Sequence, residues 1–147
     1  MEIRMATGKE TLDILSHWRA VLSEATAGYL ETIQTRELTP LAPFFYHDFD
    51  YIVYVKEGIV QGWVGIGEIR EVYMQESKGF ISELYVLPEF RNQGIGRKLC
   101  LVAINKFNDA KYCSVQLNVF KGNDSRNLYE KLGFTEVSSL MELELDE

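Results

Sequence analysis

Residues 86–99 of the chain read Val86-Leu-Pro-Glu-Phe-Arg-Asn-Gln-Gly-Ile-Gly-Arg-Lys-Leu99. The apolar residues just before this stretch predict a strand over 79–87, and Pro88 ends it because proline cannot donate a hydrogen bond to a β-ladder. Beyond the two glycines, apolar residues recur at helical spacing, which predicts a helix over 97–108. A strand therefore leads through a glycine-containing loop directly into a helix.

This loop predicts a binding site for a phosphate-bearing ligand. The first turn of a helix carries unpaired N–H groups and the positive end of the helix dipole, and Gly94 and Gly96 let an anion approach that backbone closely. Arg91, Arg97 and Lys98 add positive charge to a chain that is otherwise acidic. The alternative is a tight turn that binds nothing.

The loop does not match the common nucleotide-binding patterns. It lacks the Gly-Lys-Ser/Thr ending of a Walker A loop and the spacing of GxGxxG, so nucleotide binding is ranked last among the functions considered. The run 62–67 has a GxxGxG pattern, but it continues as a strand and opens no helix. It therefore predicts a twisted strand whose small residues admit a close neighbour.

The remaining segments predict a single α/β domain over residues 1–147 with a mixed sheet, since no repeat or linker divides the chain. Strands are predicted over 3–5, 51–55, 59–72, 79–87, 112–120, 134–137 and 140–145, and helices over 11–24, 29–37, 97–108 and 124–132. Residues 41–50 form an aromatic connection between the second helix and the next strand.

The composition describes an acidic globular protein: of 147 residues 46% are apolar, and 15 basic against 22 acidic side chains give a net charge of −7. This charge excludes a broad nucleic-acid-binding face and disfavours an anionic membrane surface. No apolar run approaches the roughly 20 residues that span a bilayer, and no signal peptide is recognisable, so we expect a cytoplasmic protein. Cys100 and Cys113 belong to no metal-binding cluster; we expect no metal, and we predict both thiols to be small core residues.

Two motifs resemble those of one enzyme family. Arg91-Asn-Gln-Gly-Ile-Gly96 is similar to the Gln/Arg-x-x-Gly-x-Gly/Ala motif of the GCN5-related N-acetyltransferases (GNAT), and Asn123-Asp-Ser-Arg-Asn-Leu-Tyr-Glu-Lys-Leu-Gly-Phe134 resembles the second hallmark of that family. They occur in the family's order, separated by one helix and one strand. The resemblance implies an α/β fold with a mixed, mostly antiparallel sheet flanked by helices, in which two central strands splay apart. It also implies transfer of an acetyl group from acetyl-CoA to a primary amine by direct attack in a ternary complex.

The resemblance assigns roles to individual residues. The backbone of Gln93 to Arg97 would hold the pyrophosphate, the strand edge at Leu84 to Val86 would pair with the pantetheine amides, and Tyr129 would protonate the leaving thiolate. The positions expected to contact acetyl-CoA are Leu84, Tyr85, Val86, Arg91, Asn92, Gln93, Gly94, Ile95, Gly96, Arg97, Asn123 and Tyr129. In many members of the family the motif asparagine stands seven residues before the motif tyrosine. In this chain Gly122 occupies that position, and Asn123 stands six residues before Tyr129.

Glu83 is the candidate general base, because it lies on the strand beside the expected thioester. The alternative interpretations are a carboxylate that faces solvent or a neighbouring arginine for Glu83, and a core aromatic for Tyr129. His47, Asp48 and Asp50 could belong to an acceptor pocket, but the preferred interpretation is a surface or packing residue for His47 and a solvated loop for the two aspartates.

The acceptor amine is not identified by the sequence. The net charge of −7 slightly favours a small cationic amine. Two other functions stay open: a non-catalytic acyl-CoA-binding module on the same fold, and an acetyltransferase for protein N-termini or lysines. A homodimer is expected from the habit of the family.

Overall fold

A computed structural model describes residues 1–29, 50–71 and 75–146 of the chain. In chain order the described elements are β1 (Glu2–Met5), α1 (Gly8–Ser16), α2 (Trp18–Ala25), β2 (Asp50–Lys56), β3 (Ile59–Glu71), β4 (Glu76–Val86), a 3₁₀ helix (Pro88–Phe90), α3 (Ile95–Asp109), β5 (Val115–Leu117) and α4 (Ser125–Lys131). The strands form one sheet in the order β1-β2-β3-β4-β5. The first four pair antiparallel, and β5 runs parallel to β4, which is the mixed sheet that the sequence predicts.

The sheet carries a hydrophobic core on each face. The α3-side core joins apolar residues of the strands, such as Ile52 and Ile81, to Leu99 and its neighbours on α3. The α2-side core joins Ile14 of α1 and Val21 of α2 to the opposite face of the strands. Alternating side chains of β2 and β3 supply both cores, because successive side chains of a strand point to opposite faces. The sheet is thus covered on both sides.

A β-bulge interrupts this alternation in β4. Gly65 of β3 pairs with Glu83, whereas the next residue, Ile66, pairs with Ile81, so that Ser82 is an extra residue in β4. Gly65 gives this bulge room, because a Cβ at this position would overlap the hydroxyl oxygen of Ser82 and stand 3.3 Å from side-chain atoms of Glu83 and Tyr51. The predicted crowding of the glycine-rich strand 62–67 is therefore confirmed.

The first predicted helix, 11–24, is in fact two helices that meet at His17. In a continuous helix the carbonyl of Asp13 would accept the N–H of His17. Instead it lies within hydrogen-bond distance of the Ser16 hydroxyl and of Nδ1 of His17, and the His17 N–H donates to Ile14. Side chains that compete for a backbone carbonyl in this way interrupt a helix.

The C-terminal prediction is wrong. Residues 134–137 and 140–145 were expected to be strands, but the structure assigns no strand to the described residues after β5. A lone strand has nothing on which to bury its apolar face, and every described residue after Phe134 is exposed. The strand predicted over 112–120 is likewise reduced to Val115–Leu117.

The two cysteines differ from each other. Cys100 is fully buried in α3, as expected, and burial raises the pKa of its thiol to about 12. Cys113 is exposed, which corrects the expectation that both are core residues. The predicted helix over 29–37 and the aromatic connection with His47 and Asp48 lie outside the described residues, apart from Tyr29 and Asp50.

Candidate active site

The β4 strand has an open edge near its C-terminal end. β5 pairs with β4 only at Gly79, Phe80 and Ile81, whereas β4 continues to Val86. On the other side β4 remains paired with β3 as far as Val86. The pairing of β4 with β5 therefore ends at Ile81, in agreement with the splayed strands that the family resemblance implies. The backbone of 82–86 on this side faces a gap rather than a described strand.

The glycine loop presents the N-terminus of α3 beside this gap. Gly94 is the N-cap residue, has a left-handed φ of 82°, and leaves its surroundings open, since no atom lies within 4 Å of where a Cβ would stand. The N–H of Lys98 bonds back to the carbonyl of Gly94 at 3.1 Å, so the three preceding N–H groups of the first turn have no intrahelical acceptor. No acidic residue stands in this turn. The side chain of Ile95 is buried in the α3-side core and holds the loop in place.

Arg91 braces the loop against the rest of the domain. Its Nε donates to the carbonyl oxygen of Val86 at 2.8 Å, and its terminal nitrogen donates to a carboxylate oxygen of Glu24 on α2 at 2.7 Å. The guanidinium carbon also lies 5.2 Å from the centre of the Tyr85 ring. The side chain thus links the end of β4 to α2, while its expected contact with a cosubstrate stays a prediction.

A pocket lies where α2, β4, β5 and α4 meet. Its lining residues are Val21, Glu24, Ala25, Ile81, Ser82, Glu83, Leu84, Tyr85, Leu117, Asn118, Asn123, Ser125 and Tyr129. Two of them are carboxylates, and none of these described lining residues is lysine or arginine. The pocket therefore brings the two predicted catalytic residues, Glu83 and Tyr129, to one cavity beside the open edge of β4.

Glu83 is held by two hydrogen bonds. Tyr51 donates to one carboxylate oxygen at 3.0 Å, and the indole N–H of Trp63 donates to the other at 2.9 Å. Burial raises the pKa of Glu83, and the hydrogen bonds from Trp63 and Tyr51 oppose that rise. Each carboxylate oxygen has a second lone pair. The carboxylate can therefore still accept a proton or a further hydrogen bond. The alternative that Glu83 is a solvent-facing carboxylate does not hold, because its side chain is engaged by Tyr51 and Trp63.

The bulge in β4 explains this orientation. Ile81 packs in the α3-side core, and a residue two positions later in a regular strand would share its face. Because Ser82 is an extra residue, Glu83 instead joins Tyr51 and Trp63, which belong to the α2-side core.

Tyr129 is buried on α4. Burial is the main reason why the pKa of its phenol lies well above the ordinary value, with a smaller opposing effect from Ser125. The phenol therefore keeps its proton throughout the physiological range and can act as a hydrogen-bond donor. Its ring also packs edge-on against Phe134, with 5.9 Å between ring centres, so the residue is both a core aromatic and a pocket residue.

Asn123 connects α4 to α2. Its side-chain oxygen accepts the N–H of Ser125 at 2.8 Å, and its amide nitrogen donates to the carbonyl of Ala25 at 3.0 Å. The side chain of Asn123 therefore satisfies the N–H of Ser125 at the start of α4 and ties this helix to α2. Its expected contact with acetyl-CoA stays a prediction.

Sequence reasoning missed four residues of this site: Glu24, Tyr51, Trp63 and Ser82. The hydroxyl oxygen of Ser82 is buried and has no hydrogen-bond partner among the described residues. Tyr51 and Trp63 follow the alternation of ordinary core strands, so no local signal connects them to Glu83, which is 20 residues or more away. The sequence offered one signal for Ser82: the glycines of the run 62–67 indicate that another residue approaches this strand closely.

Within residues 1–29, 50–71 and 75–146, no group of three or more His, Cys, Asp or Glu side chains is arranged to hold a metal ion. None of the helices in those ranges is long and apolar enough to cross a membrane.

Comparison with known proteins identifies related sequences and folds. The model of the acetyltransferase (GNAT) family matches residues 18–134. Among curated proteins, none matches the chain. The structure is similar to that of the tetramutant of the BH1408 protein from Bacillus halodurans, with a TM-score of 0.81, 22% identity, and coverage of 99% of this chain and 100% of that chain.

Two further structures share the fold at lower identity. A ribosomal-protein-alanine N-acetyltransferase from Brucella melitensis has a TM-score of 0.65 and 16% identity, with coverage of 98% of both chains. The aminoglycoside N-acetyltransferase AAC(6')-Iy in complex with CoA has a TM-score of 0.65 and 16% identity, with coverage of 98% of this chain and 93% of that chain.

Proposed function

Because the chain belongs to the acetyltransferase (GNAT) family, we propose that it transfers the acetyl group of acetyl-CoA to a primary amine by direct attack in a ternary complex. The observation that carries the proposal is that Glu83 and Tyr129 both line one pocket beside the open edge of β4. A carboxylate and a phenol are the groups that acyl transfer needs as proton acceptor and proton donor.

The glycine loop and the strand edge fit acetyl-CoA as a cosubstrate. The open N-terminus of α3 at Gly94 offers backbone N–H groups to a pyrophosphate, and the unpaired edge at 84–86 offers backbone groups to amides. The structural neighbour AAC(6')-Iy was solved with CoA, which supports this assignment. Exposed Arg97 and Lys98 add positive charge near the loop.

Glu83 would accept the proton of the acceptor amine. A free alkylamine has a pKa near ~10 and must lose a proton before it attacks. The pKa of Glu83 is raised by burial, which brings the carboxylate closer to the range where it can take up that proton near neutral pH. The hydrogen bonds from Tyr51 and Trp63 fix its direction without consuming both lone pairs of either oxygen.

Tyr129 would stabilise the departing thiolate. A thiol of the cysteine type has a pKa near ~8.5, and the pKa of Tyr129 lies well above the ordinary tyrosine value. Complete transfer of the proton from the phenol to the sulfur is therefore uphill. A hydrogen bond from the phenol to the developing negative charge requires no complete transfer, and we assign this role to Tyr129.

The acceptor proposed is a small cationic amine. Glu83 supplies a carboxylate to the pocket, and its printed hydrogen bonds come from the neutral Tyr51 and Trp63, whereas the carboxylate of Glu24 is already paired with Arg91. The net charge of −7 would attract such a substrate over a longer range.

The test combines binding and turnover. We expect acetyl-CoA to bind in isothermal calorimetry and to raise the melting temperature, and we expect free thiol to be released with at least one member of a panel of polyamines, aminoglycosides and amino acids. Absence of acetyl-CoA binding would refute the proposal. Binding without turnover on any amine, peptide or protein would instead identify a non-catalytic acyl-CoA-binding module.

A further inference from the structure

Arg91 stands at the mouth of the gap beside β4. The N–H of Leu87, just after this strand, donates to the carbonyl of Gln61 on β3 at 2.9 Å. Successive residues of an antiparallel strand point their N–H and C=O groups to opposite sides. The carbonyl of Val86 therefore points away from β3, toward the gap, and it accepts the Nε–H of Arg91 at 2.8 Å. The guanidinium thus lies at the edge where we place the pantetheine arm of acetyl-CoA.

The same guanidinium reaches the pocket in which we place the amine. Its terminal nitrogen donates to a carboxylate oxygen of Glu24 at 2.7 Å. Glu24 belongs to α2 and lines the pocket together with Glu83. One arginine therefore contacts a group of each proposed substrate site.

The contacts of Arg91 differ in how easily they can be exchanged. The Nε–H bond and the ring of buried Tyr85, whose centre lies 5.2 Å from the guanidinium carbon, hold the side chain in place. The ion pair is more accessible, because the Arg91 and Glu24 side chains are 34% and 51% exposed. An ion pair that water reaches contributes little to stability. The terminal nitrogen can therefore change its partner while the rest of the side chain stays fixed.

A pyrophosphate at the glycine loop favours such an exchange. Arg91 begins the loop that leads to the N-cap residue Gly94. Arginine has five N–H donors and binds phosphate oxygens well, and the two hydrogen bonds above leave donors for this purpose. A phosphate on this guanidinium would bring a like charge beside the carboxylate of Glu24. The repulsion between them weakens the ion pair.

Glu24 would then need a new cationic partner. The described residues that line the pocket include no lysine or arginine that could replace Arg91. The reacting amine is assigned to Glu83. A second ammonium group on the same acceptor is therefore the partner whose charge suits Glu24.

We propose that Glu24 exchanges Arg91 for a second ammonium group of the acceptor when acetyl-CoA occupies the glycine loop. The two substrates then bind cooperatively, and each raises the affinity for the other by the same factor. Glu24 also becomes a specificity residue that favours diamines over monoamines. This inference rests on the proposed function, because it requires that acetyl-CoA and an amine bind at these sites.

Calorimetry with CoA tests the first half of the exchange. CoA carries the pyrophosphate of acetyl-CoA but no acetyl group, so no turnover disturbs the titration. We expect Glu24→Gln to bind CoA about 2- to 5-fold more tightly than the wild type, because no ion pair has to be broken. Glu89→Gln is the matched control for the loss of one negative charge, since Glu89 is exposed on the 3₁₀ helix just before the loop.

Two amines of similar length test the second half. We expect putrescine to bind the CoA-saturated wild type about 2- to 5-fold more tightly than the CoA-free protein. Glu24→Gln should abolish this gain and weaken putrescine binding at least about 5-fold in the presence of CoA. Binding of n-butylamine, which has no second ammonium group, should be the same in both proteins.

The directions of these changes separate the exchange from a structural brace. Loss of a brace would weaken the binding of CoA and of both amines together. A CoA affinity that Glu24→Gln leaves unchanged or lowers overturns the inference but not the proposed function, and so does an equal loss for putrescine and n-butylamine. A wild-type protein that does not bind CoA overturns both.

Discussion

Removal of the Tyr51 hydroxyl tests the proposed general base most directly. In Tyr51→Phe one of the two hydrogen bonds to Glu83 is lost, while the Trp63 bond remains. Hydrogen bonds to a carboxylate stabilise its charged form and lower its pKa, so the loss raises the pKa of Glu83 further above its ordinary value. A hydrogen bond to a charged group contributes about 1.5–3 kcal/mol, which corresponds to a rise of about 1–2 pKa units.

The assay is the pH profile of kcat/KM with acetyl-CoA and an accepted amine. Because the base acts when deprotonated, the acidic limb of the profile should move to higher pH by about 1–2 units, with a smaller change on the plateau. Tyr54→Phe is the matched control, since Tyr54 is buried on the opposite face of the same strand. A uniform loss of rate with an unmoved limb would show that Tyr51 only supports the fold. An unmoved limb in Glu83→Gln as well would remove Glu83 from the mechanism.

Three further outcomes are expected. Tyr129→Phe should lower kcat by about 10- to 100-fold, because the variant removes one hydrogen-bond donor to the leaving group. The affinity for acetyl-CoA, measured by calorimetry, should change little. A large loss of affinity would instead show that Tyr129 is a structural residue. Gly65→Ala should lower the free energy of unfolding by about 1–3 kcal/mol and reduce activity, since its Cβ would overlap the bulge hydroxyl, whereas Gly8→Ala, in open space, should not destabilise. The pKa of Glu10 is lowered to about 2, chiefly by its hydrogen bond with Arg4, from an ordinary 4.5. The stabilisation of the fold by the Glu10 carboxylate is therefore fully present above pH 4.5 and is lost as the pH falls toward 2. Glu10→Gln should lower the free energy of unfolding by about 1 kcal/mol at pH 7 and by almost nothing near pH 2. Chemical denaturation at both pH values measures the difference.

The parts of the fold that local chemistry determines were predictable from the sequence. Pro88 ends the strand, and Gly94 provides the left-handed residue at the start of α3, so the strand, loop and helix follow from adjacent residues. The turn between β2 and β3 is similar: Glu57 and Gly58 both have positive φ, which suits a tight hairpin.

The parts that depend on distant partners were not predictable. If side chains alternated regularly along β4, Glu83 would lie on the same face as Ile81, the α3 side, and this prediction would be wrong. The error cannot be seen in the sequence, because only the pairing of β4 with β3 reveals Ser82 as an extra residue. The strand prediction for 140–145 failed for a related reason. The pattern specifies which face would be buried, but it does not supply an edge to pair with.

The packing of Ser82 against Gly65 has an evolutionary consequence. The extra residue in β4 is tolerated because the opposing position has no side chain, so the two sites should change together during descent. In a lineage that loses the residue at position 82, β3 and β4 pair without a bulge. The glycine at position 65 can then be replaced by a larger residue. Homologous sequences with one residue fewer in this strand should therefore be the ones that lack glycine at the position of Gly65.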